Sequence, residues 1–233
     1  MCTISWEQKG AEGFAVYFNR DEQKSRPVAR PPEVKRAING VRYLAPTDPT
    51  SGGTWLAASE RGLVLALLNR WHEGVTIESP KSRGVLIPKL IGLDDQRGVL
   101  NAVKALNLSK TPPFTLVVLG PDCSGQRCDW DGVRLLIREA KAPITSSSYE
   151  FENVRDARLR AFETATDLED FHASEGEEPT AFSVRMRRAD AQTWSRSVIE
   201  IEAERVRFSY WAEAEDLEGE GEEFEKRLGR IGA

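Results

Sequence analysis

Two short runs at the start of the chain, Thr3 to Trp6 and Phe14 to Phe18, constrain the fold more than any other feature. The second (Phe-Ala-Val-Tyr-Phe) is aromatic and β-branched, a content that suits a pleated, half-buried surface, and both runs read as strands. Glu7 to Gly13 between them is polar and contains Gly10 and Gly13, so it reads as a turn. A hairpin centred near Gly10 and Ala11 sets residues whose numbers sum to about 21 opposite each other. This register predicts Cys2 facing Asn19, with Arg20 and Asp21 one step on.

Cys2 follows Met1, and an initiator Met is removed when the next residue is small. Removal places a thiol and a free α-amine on one residue. The amine, with an ordinary pKa of about 7.7–8.0, can take the thiol proton near neutral pH, so the pair is a nucleophile with its own base. Arg20 beside the thiol would lower its pKa, and Asp21 beside the amine would orient it. Taken singly, a Met-Cys start and a charged stretch after a strand are ordinary surface features; the hairpin register is what joins them.

Further along, Gln23 to Pro32 carries three prolines and three basic residues and reads as an extended loop, either solvated or attractive to an anionic substrate. A strand is expected within Val34 to Tyr43, and a loop over Ala45 to Gly53. Trp55 to Ser59 and Leu63 to Asn69 flank a turn at Gly62. The second run is apolar throughout and is expected to be buried on both faces. It ends at Asn69, whose amide would serve either as a turn cap or as an oxyanion donor. Leu93 to Leu106 has helical apolar spacing, with Asp94 and Asp95 in its first turn. Phe114 to Leu119 reads as an interior strand, and Arg127 to Trp130 with Val133 to Arg138 as a hairpin around Asp131-Gly132.

Ser147 and Glu150 fit a capping box opening a helix from Tyr149 to Ala165 with apolar positions at 151, 154, 159 and 162. Glu163 to Glu178 reads as a short helix and loop with His172 exposed. Phe182, Val184 and Met186 alternate with polar residues as in a half-buried strand, followed by a turn at Ala191-Gln192-Thr193. Trp194 to Glu202 and Val206 to Trp211 are two more strands, and Asp216 to Arg230 is expected to be a charged peripheral tail.

Composition closes off several classes. At 233 residues, 40% hydrophobic and 30% charged, the chain is expected to be one globular domain. A net charge of −5 argues against nucleic acid as the main partner. No apolar run is long enough to span a membrane, and the polar start does not suit a signal peptide, so the expected location is cytoplasmic. Three cysteines argue against a disulfide framework. Cys123 and Cys128 are expected in a turn, either inert or redox-active. His72 and His172 do not stand at metal-ligand spacing from them, so neither a metal nor a cofactor is expected.

Met1-Cys2-Thr3 and Asn19-Arg20-Asp21-Glu22 together resemble the NRDE-motif family, also called the transport and Golgi organisation protein family. That family is similar to the N-terminal nucleophile hydrolases, bile salt hydrolases and penicillin V acylases among them. The resemblance continues in Gly52-Gly53-Thr54-Trp55-Leu56, in Lys81-Ser82-Arg83-Gly84 and in Thr145-Ser146-Ser147. Pattern alone reaches an α+β protein with layered, mainly antiparallel sheets; the resemblance implies the four-layer αββα sandwich. It also implies catalytic roles for Cys2, Arg20, Asp21 and Asn69, and favours the oxyanion reading of Asn69. Asn19, Trp71 and Ser146 are candidate substrate contacts, with Ser146 standing where the related acylases have Asn. Two functions stay open. One is hydrolysis of a linear amide by acyl transfer to Cys2. The other is a carrier of an apolar ligand (lipid, acyl-CoA or haem) on the same scaffold, without turnover.

Overall fold

The computed structural model describes residues 1–10, 13–71, 77–78, 80–213 and 222–231. The opening hairpin forms: β1 (Cys2–Gln8) pairs antiparallel with β2 (Phe14–Gln23). Its register corrects the expectation by one residue, because Cys2 lies opposite Arg20 and Thr3 opposite Asn19. Gln8 and Phe14 are the last pair, and Lys9 N–H closes the loop on Gly13 O at 2.8 Å, so the centre falls on residue 11. Side chains alternate along a strand, so Arg20, not Asn19, shares the face of Cys2.

The hairpin belongs to a six-stranded sheet ordered β10-β1-β2-β11-β12-β13, with β10 (Ile144–Ser146), β11 (Ala191–Ile201), β12 (Arg205–Ala212) and β13 (Glu222–Gly229). A seven-stranded sheet runs in chain order from β3 (Arg30–Arg36) through β4 (Arg42–Thr47), β5 (Leu56–Ser59), β6 (Val64–Asn69), β7 (Phe114–Leu119) and β8 (Gly125–Trp130) to β9 (Leu135–Glu139). All strand pairings within both sheets are antiparallel.

The sheets stack face to face. Ile4, Phe14, Val16 and Phe18 from one meet Leu44, Leu56, Val64 and Val117 from the other. Each such buried aliphatic side chain contributes about 1.5–3 kcal/mol. On the outer face of the seven-stranded sheet lie α1 (Leu86–Leu90) and α2 (Gln96–Ala105), which bury Leu86, Leu90, Val99 and Val103. On the outer face of the six-stranded sheet lie α3 (Phe151–Thr164) and α4 (Leu168–Ala173), where Phe162 and Leu168 pack on Ala15 and Tyr17. The result is the αββα sandwich. No helix among the described residues is long and apolar enough to cross a membrane.

Several local expectations are corrected. Pro31 and Pro32 lie within β3, an edge strand where a missing N–H costs nothing. Val34 to Tyr43 holds the turn between β3 and β4 rather than one strand, and β4 runs on to Thr47. Asp95 is the cap of α2, not part of its first turn, and accepts from Gly98 N–H. No capping box opens α3; the Ser147 hydroxyl bonds the Tyr149 backbone instead. Residues 182–185 form a turn and bends, and Ala191 to Thr193 is the start of β11. The alternation at 182–186 comes from burying Val184 and Met186 under the sheet without strand pairing. The presumed tail contains β13, whose Leu228 is buried against β12. Cys123 sits in a turn at φ 64°, but Cys128 is a buried residue of β8. His172 is buried, and His72 lies outside the described residues.

Candidate active site

Cys2 opens β1 and is held from both sides, with Arg20 opposite on β2 and Ser146 opposite on β10. Its backbone N–H donates to Ser146 Oγ at 3.1 Å. The Met1 α-amine donates to Asp21 O at 3.0 Å, Asp21 N–H returns a bond to Met1 O at 3.0 Å, and the Ser147 hydroxyl donates to the Met1 sulfur. The residue before Cys2 is thus continued into the sheet.

Cys2 is 6% exposed, and burial pushes its thiol above the ordinary value. The terminal ammonium pulls it down, Asp21 pushes it up, and Arg20 pulls it down, as anticipated for that residue, but burial prevails. The Arg20 guanidinium is itself buried, 4.4 Å above the Trp55 ring and 3.5 Å from a Glu22 carboxylate oxygen. A cation over an aromatic face is attracted by the ring quadrupole, so Trp55 fixes the position of this charge.

Cys2, Arg20, Trp55, Asn69 and Arg83 line one cavity of about 560 Å³. Asn69 ends β6, is exposed, and makes no side-chain hydrogen bond to another described residue. It also borders a cavity of about 170 Å³ beside Met1 and one of about 370 Å³ beside Ser146; Trp71, also exposed, borders those two. The floor of the main cavity depends on two glycines. A Cβ on Gly53 would meet the Gly84 backbone at 2.6 Å, and Thr54 N–H bonds Gly84 O at 3.0 Å. This contact holds the 3-10 turn Arg83–Val85 against the strand entering β5.

Asn19 is not brought to this cavity. Its Nδ2 donates to the carbonyls of His172 and Val184 at 2.9 and 3.1 Å, which leaves Oδ1 to accept from His172 Nδ1–H at 2.8 Å. His172 Nε2 is then the acceptor for the Ser5 hydroxyl, also at 2.8 Å. Burial first, then the charges of Arg196 and Arg158, lowers the His172 pKa to about 3. The hydrogen bonds of the Asp21 carboxylate go elsewhere than the Cys2 nitrogen: one oxygen accepts from Thr193 Oγ1 at 2.8 Å and the other from Arg158 at 3.1 Å. Arg158 is fully buried and donates further to Thr3 and Thr145 Oγ1, so one guanidinium from α3 ties β1, β2 and β10 together. The side chain that meets the Cys2 nitrogen is Ser146.

Arg158, His172 and Arg83 were not singled out for roles by the sequence. The first had a signal: an Arg one helical turn after the buried Val154 lies on the buried face. Among the described residues no group of three or more His, Cys, Asp or Glu is placed to hold a metal ion.

The architecture matches solved hydrolases. Penicillin V acylase from Agrobacterium tumefaciens superposes with a TM-score of 0.52 at 10% identity, covering 90% of this chain and 82% of that one. The C2A mutant of conjugated bile acid hydrolase from Clostridium perfringens gives 0.57 at 11% identity, covering 100% and 97%. The Caenorhabditis elegans ortholog of N-acylethanolamine-hydrolyzing acid amidase gives 0.58 at 13%, covering 85% and 92%. At these identities the likeness establishes an N-terminal nucleophile hydrolase-like fold. No curated protein sequence matches the chain significantly. The family model for Transport and Golgi organisation 2 matches residues 1–133, more than half of the chain, and the chain belongs to that family.

Proposed function

We propose that the protein is an N-terminal cysteine amidohydrolase that cleaves a linear amide through an acyl-enzyme at Cys2. The observation that carries this reading is the setting of Cys2: its thiol on the wall of a roomy cavity, and its nitrogen on the hydroxyl of Ser146. Removal of Met1 turns that nitrogen into an α-amine already oriented by Ser146. The amine takes the thiol proton, and the thiolate attacks the amide carbonyl. Asn69 donates to the oxyanion, a contact worth about 2.7–4 kcal/mol in comparable sites. Collapse breaks the C–N bond, the ammonium returns its proton to the leaving amine, and water then hydrolyses the thioester.

Support from outside the chain is the fold shared with three amide hydrolases, one of them studied as a C2A variant. The test is intact mass and site-mapped alkylation at mildly acidic pH, followed by turnover of a panel of acyl amides. Loss of Met1, preferential labelling of Cys2 and loss of turnover in Cys2→Ala are the expected results. Full activity of Cys2→Ala refutes the mechanism.

The upward push on the Cys2 thiol favours a second reading, a carrier whose cavity holds an apolar ligand without chemistry. A retained Met1 together with tight, turnover-free binding of an acyl chain selects the carrier.

A further inference from the structure

The cavity beside Ser146 has an unusual charge balance. Asp129, 3% exposed, accepts from Thr115 Oγ1 at 2.6 Å and is met by Arg127 at 2.8 Å, Arg138 at 2.9 Å and Arg70 at 3.2 Å. Burial opposes its ionisation, but the bonds from Arg127 and Thr115 and the nearby guanidinium charges hold the carboxyl below its usual range. Three guanidiniums against one carboxylate leave two positive charges in excess. Arg127 and Arg138 stand directly opposite each other across β8 and β9. Like charges at directly paired positions destabilise a sheet, so this arrangement is costly for the fold alone. All three arginines line the cavity, and Arg127 Nε is buried without a partner among the described residues. The acid at the rim, Glu152, is paired with Arg155. Trp71 and Phe151, 69% and 42% exposed, border the same space.

The geometry points to a binding subsite for an oxyanion group (carboxylate, sulfonate or phosphate) in the cavity formed by Arg70, Arg127 and Arg138. Asp129 holds the guanidiniums in a convergent array, and their remaining N–H groups face the anion. The two aromatic side chains accept a flat or apolar part of the same ligand. Asn69 borders this cavity and the one containing Cys2, so a single ligand spans both. Its position relative to a scissile amide rests on the hydrolase reading; the subsite does not.

The test uses the full chain carrying Cys2→Ser, so that binding is read without turnover. Titration calorimetry compares 2-naphthoate, 2-naphthalenesulfonate and 2-naphthyl phosphate with neutral 2-naphthamide at low salt. At least one anion is expected to bind about tenfold or more tightly than the amide, which corresponds to one charge-assisted contact. The tightest of the three names the group. Arg138→Gln leaves Asp129 with Arg127, Arg70 and Thr115, and is expected to weaken the anions about tenfold while sparing the amide. Arg70→Gln, on a different element, should do the same if Arg138→Gln misfolds. Arg227→Gln, on β13 and paired there with Glu225 away from both cavities, should change nothing. Equal affinity for anions and amide overturns the subsite, as does a loss seen with Arg227→Gln but not with Arg138→Gln or Arg70→Gln. An inactive protein that still passes these titrations sinks the hydrolase reading and leaves the subsite standing.

Discussion

Acidification from pH 7 to pH 5 probes the packing behind the opening hairpin, because His172 must stay neutral there. The folded protein protonates this imidazole only near pH 3, while the unfolded chain does so at the ordinary value of 6.5. Between the two, the unfolded state binds more protons, so stability falls as pH falls. The slope approaches about 1.4 kcal/mol per pH unit once the pH is well below 6.5. From pH 7 to pH 5 the loss is about 2 kcal/mol, and over the whole interval down to the folded value it approaches about 5 kcal/mol. Asp48, Glu60 and Asp129 have lowered values too, and their stabilisation is lost only on protonation below the ordinary carboxylate range, so pH 5 precedes them. Urea denaturation of wild type and His172→Gln at the two pH values reads the difference. Gln keeps a donor and an acceptor but does not titrate, so its stability should change by about 2 kcal/mol less than that of the wild type over this range. Nitrogen-15 NMR of the ring should show a neutral imidazole with the proton on Nδ1 at pH 5. A parallel loss in both proteins, or a charged ring at pH 5, refutes the argument.

Arg158→Met removes the partner of a fully buried Asp21 and is expected to cost about 3–5 kcal/mol by chemical denaturation, because an unpaired buried charge remains. Replacing both partners, Asp21→Asn with Arg158→Met, should recover part of that loss; no recovery argues that the pair is not coupled. Gly53→Ala forces the 82–84 segment away from the strand entering β5 and is expected to cost about 1–3 kcal/mol. A crystal structure of that variant with Gly84 unmoved counts against the contact.

The layered architecture was legible because strands of this protein advertise themselves. Phe14 to Phe18, Leu63 to Asn69 and Phe114 to Leu119 are apolar runs bounded by turn residues, and each became a strand. Sequence reading was weaker where spacing depends on a loop. Centring the first turn between residues 10 and 11, not on 11, put the wrong member of a motif beside Cys2. It also missed His172, since a lone histidine in an acidic stretch carries no mark of burial; only Ser5 and Asn19, distant in sequence, supply its partners. Asp129 is a similar case. Its neighbours Arg70 and Arg138 come from other segments, and nothing local announces that three guanidiniums converge.

The corrected register also explains why the four residues Asn19-Arg20-Asp21-Glu22 act as two pairs. Successive residues of a strand point to opposite faces. Asn19 and Asp21 point outward and take one buried polar group from each covering helix, His172 from α4 and Arg158 from α3. Arg20 and Glu22 face the cavity with Cys2, linked to each other and to Trp55. Asn19 and Asp21 therefore anchor the hairpin, Asp21 also pushing the thiol pKa up from behind, while Arg20 on the cavity face draws it down. Asn19→Ala should lower stability by about 1–3 kcal/mol, since it strands the buried His172 N–H, and should leave the alkylation rate of Cys2 unchanged in the folded protein. Arg20→Met should do the reverse: it removes a charge that draws the thiol pKa down, so Cys2 should react more slowly at fixed pH while the fold persists. If Asn19→Ala slows Cys2 as much as Arg20→Met does, the division between the two faces does not hold, and the chemistry of Cys2 depends on the whole strand.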